Sequence, residues 1–358
     1  MDLVISGIQQ IGIGVPNVQE AWKWYREHFG MDIRIFEDKT VAELMLPYTG
    51  GEPRKRHAAL ALNLQGGGGF EIWQYSERTP QAPAFDIKIG DLGIFAAKIK
   101  SHDVKKAYEK FKAENLTILG GLEKDPHGEE HFFVQDPYGN IFQIIKDTQL
   151  FRWEKKVTGA TAGAIIGVSD IDASMKVYSD ILGYDKVVYD AESNFRDLSM
   201  LNGGKARMRR VLLKASKDWE GSFSKLFGHS YIELVELKEE KPRKIYEDRF
   251  WGDLGFIHLC YDIRGMAALK KKCDKLGFSF TVDSRPPEQA DKSFDMGEAA
   301  GHFSYIEDPD GTLIEFVETH RIPIFKKLGL YLNLKKKKAN KNVPNWIIKA
   351  LRLGRIKD

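Results

Sequence analysis

The sequence predicts an α+β fold of four βαβββ units, forming two tandem domains (1–148 and 157–320), followed by a basic helical tail (321–358). Three observations predict it. Landmark segments recur in the same order roughly 160 residues apart, the mark of an internal duplication. Within each copy a β-rich stretch, a helix-periodic stretch and further strands follow one another twice. Positive charge collects from Arg321 onward.

The elements can be justified in order. Residues 8–15 are β-rich. Residues 18–29 carry Ala21, Trp22, Tyr25 and Phe29 at helical spacing, and Gly30 ends the run. Strands are expected at 33–36, 40–46, 58–64 and 70–75. The four glycines 66–69 read as a hairpin turn rather than a phosphate cradle, because neither Gly-Lys-Ser/Thr nor a helix follows them. A second unit restarts with a strand at 93–99, a helix at 104–114, and strands near 117, at 131–135 and at 141–146. A connector near 149–156 leads into the second copy.

There, "VPNVQEAWKWYREHFGM" (15–31) returns as "VSDIDASMKVYSDILGY" (168–184). Val15, Tyr25 and Gly30 match Val168, Tyr178 and Gly183 without a gap. "GDLGIF" (90–95) returns as "GDLGFI" (252–257), and "DPYGN" (136–140) as "DPDGT" (308–312).

Composition narrows the class. The 358 residues are 42% hydrophobic and 29% charged, with no apolar run long enough for a membrane-spanning helix. The opening "MDLVISGIQQIGIGVP" lacks the basic, apolar and small-residue regions of a secretory signal. Cys260 and Cys273 are the two cysteines. They could pair, but so few thiols fit a reducing, cytoplasmic setting better. The tail holds 12 of the 54 Lys/Arg and one of the 51 acids, leaving 42 basic and 50 acidic residues in 1–320. A uniformly basic nucleic-acid surface is therefore not expected.

The two Asp-Pro-x-Gly hairpins pose the chemical question. "DPDGTLIEFVE" places Glu315 inside an apolar strand, whereas "DPYGNIFQIIK" has the neutral Gln143 at the same place. A buried ionised carboxylate costs several kcal/mol or more unless it is paired or bound to a metal. Strand alternation puts His229, Tyr231 and Glu233 on one face, Phe256, His258 and Cys260 on another, and Leu313, Glu315 and Val317 on a third. Imidazole with carboxylates suits Zn, Fe(II), Mn, Ni or Co. Each residue alone reads more simply as a core histidine or an acid paired with Arg249 or Arg264.

Paired βαβββ units, with Asp-Pro-x-Gly before a strand bearing Glu or Gln, resemble the vicinal oxygen chelate superfamily of glyoxalases, bleomycin-resistance proteins and extradiol dioxygenases. The resemblance covers about residues 1–320. It implies that two units form a cup holding one divalent metal, with ligands from the first and last strands of each unit. Carried across domain by domain, the C-terminal ligand positions are Gly163, Glu233, His258 and Glu315. The N-terminal ones are Gln10, Glu71, a position near Ile94 or Ala96, and Gln143. A metal held by His258, Glu315 and Glu233 is therefore expected in the C-terminal cup, with the N-terminal domain a degenerate copy and Gly163 a missing ligand. "YIEDPDGTLIE" also resembles the end of the extradiol-dioxygenase signature, which implies a substrate-contacting role for Tyr305. His302, His229 and Glu233 are further acid-base candidates.

The function expected is metal-dependent lyase or isomerase chemistry on a small substrate with adjacent oxygens, through an enolate-like species. The alternatives are ring-cleaving dioxygenation, or small-molecule binding without turnover, with Trp73, Tyr75, Trp219 and Trp251 as stacking surface. In the tail, Trp346, Ile347, Ala350, Leu351 and Leu353 form one apolar side of a helix, expected to pack on the protein's own acidic body. A lid, a subunit contact (as in a homodimer) or an anionic membrane surface are the other roles it could serve.

Overall fold

The computed structural model describes residues 2–285, 294–296, 299–325 and 330–356. All four units are present. The first is β1 (Val4–Gly14), α1 (Val18–Phe29), β2 (Ile33–Ala42), β3 (Arg54–Leu62) and β4 (Gly69–Tyr75). The second is β5 (Gly93–Ser101), α2 (Val104–Ala113), β6 (Thr117–Lys124), β7 (Glu130–Gln135) and β8 (Ile141–Lys146). The third is β9 (Thr161–Gly167), α3 (Ile171–Met175), β10 (Lys186–Ser193), β11 (Met208–Lys214), α4 (Ser224–Phe227) and β12 (Tyr231–Leu237). The fourth is β13 (Gly255–Arg264), α5 (Met266–Leu276), β14 (Val282–Asp283), β15 (Phe294–Met296), β16 (Ala299–Glu307) and β17 (Leu313–Phe325). β18 (Leu330–Asn333) and α6 (Asn345–Ala350) follow.

Local chemistry explains most boundaries. The Asn17 side chain accepts from the backbone N–H groups of Gln19 and Glu20 to start α1, and Gly30, at φ +64°, stops it. The strands expected at 33–36 and 40–46 merge into a single strand, β2, which ends at Ala42, short of the expected Leu46. The glycine run does make the β3–β4 connection, and it also lies close to other chain: a Cβ on Gly68 would stand 2.6 Å from the Ile8 carbonyl oxygen.

The units assemble crosswise. One sheet runs β14-β16-β17-β13-β1-β4-β3-β2, with β15 on β16 and β18 on β17. The other runs β10-β11-β12-β9-β5-β8-β7-β6. Units one and four thus share the first sheet, joined by antiparallel β1 and β13, while units two and three share the second through β5 and β9. Consecutive units were expected to share a cup, and the expected ligand groupings change accordingly.

Alternation along the strands then defines two environments. Phe70 and Ile72 on β4, Phe142 and Ile144 on β8, Ile232 and Leu234 on β12, and Ile314 and Phe316 on β17 join one large core with the helices. The residues between them, Glu71, Gln143, Glu233 and Glu315, face the opposite way, into the cups. The carboxylate in the apolar strand is thus a cup residue flanked by core residues.

Consecutive units still touch through their helices. Tyr25 on α1 donates to Asp136 of the first Asp-Pro-x-Gly hairpin at 2.7 Å. Tyr178 donates to Asp308 of the second at 2.8 Å. Two of the repeated landmarks are therefore partners, which explains why both recur. Burial, then the adjacent carboxylate, pushes both phenols upward, so they remain donors.

The tail packs on the body. Ile348 is buried with Ile33, Leu62 and Leu64, and Ile347 and Leu351 flank them. Arg355 bonds Asp32 and Glu154 at 2.8 and 2.6 Å. Trp346 and Leu353, expected on the apolar side, are 63% and 84% exposed; the shorter helix turns Ile348 inward instead. Among the described residues no helix is long and apolar enough to cross a membrane.

Replacing Tyr25 or Tyr178 with Phe should destabilise the protein by about 1–3 kcal/mol, because each deletes a buried hydrogen bond to a carboxylate. Urea unfolding of both single variants checks this, and losses under a few tenths of a kcal/mol would contradict it.

Candidate metal centre

The cup shared by units one and four brings together Gln10 from β1, Glu71 from β4, His258 from β13 and Glu315 from β17. Ligand atoms of Glu71, His258 and Glu315 all lie within 4.8 Å of one another. His258 Nε2 is 3.1 Å from Glu315 Oε2 and 3.5 Å from Glu71 Oε2. Gln10 Nε2 reaches Glu71 Oε2 at 3.2 Å and Glu315 Oε2 at 3.5 Å. Each side chain comes from a central strand of its unit, so backbone ladders on both sides set its position.

Neighbours shape the centre. Gly12 lies opposite His258 across β1 and β13. A Cβ on Gly12 would fall 2.4 Å from the imidazole Cε1, so the ring needs that glycine. Trp251 stacks parallel to the ring at 6.1 Å, and Tyr305 meets it edge-on at 5.6 Å. The Trp251 backbone is tied down through its N–H to the Tyr48 carbonyl (2.9 Å) and its carbonyl to the Tyr75 hydroxyl (2.5 Å). Trp73 and Tyr75, on the same face of β4 as Glu71, complete an apolar wall.

The two acids and the imidazole perturb one another. Burial, then the charge of Glu315, pushes the Glu71 carboxyl upward. Burial works against the charge on His258, but Glu315 and Glu71 outweigh it and raise the imidazole. Burial and the same carboxylates hold the Tyr305 phenol up, in its neutral form. His258 Nδ1 and Gln10 Oε1 are buried without a hydrogen-bond partner. Two buried acids, one imidazole and one amide with unused lone pairs are a donor set for a divalent ion, and the residues fit the metal expected of the fold.

The structure divides the expected site. His258 and Glu315 are together, and Tyr305 lies against them. Glu233 is on the other sheet, bonded to Lys98 Nζ at 2.7 Å, Tyr189 at 2.8 Å and Arg210 Nε at 2.8 Å, so its charge is already met by cations of the chain. His302 alternates away from Tyr305 on β16 and binds Asp283 at 2.6 Å, on the side away from the cup. His229 is half exposed near Asp147 and Asp218. Trp219 packs on Tyr184 instead of lining the cup.

Gln10 and Glu71, assigned to a degenerate cup, stand instead beside His258 and Glu315. A signal was present: units one and four each carry two ligand-type residues at the repeat positions, and units two and three do not. Gly163 is the counterpart of Gln10 in the second cup, and a Cβ there would fall 1.7 Å from the Tyr231 carbonyl oxygen.

Residues 7–144 match the Glyoxalase/Bleomycin resistance protein/Dioxygenase superfamily. The matched stretch spans most of units one and two. Glyoxalase I from Zea mays is similar in fold, with a TM-score of 0.52 and 15% identity over 87% of this chain and 92% of that one. A putative dioxygenase from Bacillus subtilis subsp. subtilis str. 168 gives a TM-score of 0.56 and 13% identity over 88% of this chain and 86% of that one. Comparison with curated protein sequences gives no match.

Glu233→Gln should leave metal binding intact and cost about 3–5 kcal/mol of stability at pH 7, because it strands Lys98 and Arg210. Despite burial, Arg210 and Lys98 hold the Glu233 carboxyl well below the usual carboxylate range. Its contribution is therefore complete above an ordinary glutamate value of about 4.3 and is lost as pH falls toward the folded one. Urea unfolding should show a constant gap between wild type and variant from about pH 7 to 5, narrowing below about pH 4.

Proposed function

We propose that the chain is a divalent-metal-dependent enzyme of the lyase or isomerase kind, acting on a small substrate with two adjacent oxygens. The observation that carries this is the convergence of Gln10, Glu71, His258 and Glu315 from two different units. A divalent ion held by these four side chains supplies a Lewis acid for polarising the substrate oxygens.

The chain's own residues do the rest. Glu71, whose carboxyl is raised by burial and by Glu315, is suited to take a proton from the carbon beside a carbonyl and return it. Tyr305, kept neutral, can donate a hydrogen bond at the same place. Trp251, Trp73 and Tyr75 exclude water and offer a flat apolar face to the substrate.

Two observations favour this over the alternatives. One imidazole with two carboxylates and an amide is not the two-histidine, one-carboxylate set of non-haem iron oxygenases. The glycine that spoke for binding without turnover, Gly163, belongs to the other cup, while Gln10 stands at the fourth position of this one.

Metal analysis of the purified protein should find one ion per chain, lost in Glu315→Gln and His258→Ala with the fold retained by circular dichroism. Proton exchange at the carbon beside the carbonyl of small α-hydroxycarbonyl compounds, followed by NMR in deuterated water, should fall by about 10²–10⁴-fold in Glu71→Gln. A folded wild-type protein that takes up no divalent ion would defeat the proposal.

A further inference from the structure

We infer that Lys98 is a built-in cation occupying the second cup where the first cup holds its metal, so that the chain takes one ion and not two. The equivalence is positional. From the aligned repeats, Glu233 stands where Glu71 stands, Gln143 where Glu315 stands, Gly163 where Gln10 stands and Ala96 where His258 stands. Lys98 is the counterpart of Cys260. The registers agree: Gln10 pairs with Cys260 across β1 and β13, and Gly163 pairs with Lys98 across β9 and β5.

The lysine Nζ bonds both residues that replace the metal-cup acids, Glu233 at 2.7 Å and the Gln143 side-chain oxygen. At 2% exposure it is a buried ammonium set between the two positions that would otherwise hold an ion. The surrounding network is complete. Arg210 holds Glu233 and, through Nη1, Asp197 at 2.9 and 2.8 Å. His131 joins Asp197 at 3.2 Å and Gln143 at 3.1 Å. Lys98 and Arg210 face Glu233 and Asp197, two cations for two acids, so the lysine and arginine leave no excess negative charge for a metal to neutralise.

The second cup is not sealed. A cavity of about 300 Å³ reaches Lys98, Gln143 and His131, so an ion could enter the second cup. Size complementarity points the same way: Gly12 makes room for His258 in the first cup, whereas Ile165 faces Ala96 in the second. The residue at the Lys98/Cys260 position therefore decides whether a cup draws its cation from the chain or from solution. Cys260, buried with its thiol 3.7 Å from Gln9 Oε1, is small and brings no cation to the first cup.

This rests on the metal reading for the first cup, and two arms separate the claims. In the first, full-length apoprotein is titrated with Co(II) by equilibrium dialysis, with melting temperature and circular dichroism as fold controls. Wild type and Cys260→Met should bind one equivalent, and Cys260→Lys none. Two equivalents in wild type, or a full equivalent in folded Cys260→Lys, would overturn the inference. In the second arm, Lys98→Met, Glu233→Gln and the double variant are melted in chelator. The double variant should lose less than the sum of the two single losses. Additive losses would overturn the role of Lys98 even if Cys260→Lys fails to fold. A wild type that binds no Co(II) but shows the coupling would sink the metal reading alone.

Discussion

The antiparallel ladder between β1 and β13 is the contact on which the candidate metal centre depends. It runs from Val4–Arg264 to Gly14–Gly255 and joins the first unit to the last. Closing so long a loop costs chain entropy, though the cost rises only slowly with length. In return it sets Gln10 within 3.5 Å of Glu315, 305 residues away in the chain, and places Gly12 under the His258 ring. Without that ladder the ligands would be two half-sets on separate units.

The same backbone plan meets the burial of charge in two ways. In the first cup, Glu71 and Glu315 face one imidazole and one amide. In the second, Glu233 is flanked by Lys98 and Arg210, its Glu315 counterpart is the neutral Gln143, and the chain balances itself. Buried ion pairs contribute little net stability compared with well-packed apolar residues, yet breaking one is costly. The second cup therefore persists as a charged framework, while the first carries no lysine or arginine among these four side chains.

The helices add another layer of dependence. Tyr25–Asp136 and Tyr178–Asp308 tie unit one to two and unit three to four, whereas the sheets tie one to four and two to three. Every unit is thus held to two others by different means. The glycine-rich β3–β4 turn and the tail add links across this arrangement, with Arg355 reaching both Asp32 and Glu154.

Much of this was legible in the sequence. The βαβββ units followed from local periodicity, from caps such as Asn17 and Gly30, and from the Asp-Pro-x-Gly turns. Alternation correctly turned Glu315 and His258 toward a cup. It could not say whose cup, because the repeat positions look alike in every unit and alternation fixes only the face a side chain takes. Glu233 lies in the other cup for that reason, and His302, three residues from Tyr305, takes the opposite face of its strand. The sequence alone determined what each unit is and which way its polar residues point, since those are local properties of φ/ψ preference and side-chain spacing. Only the tertiary structure decided which units share a cup. That choice rests on long-range pairing of first strands, which put Gln10, Glu71, His258 and Glu315 in one place and Lys98 in the other.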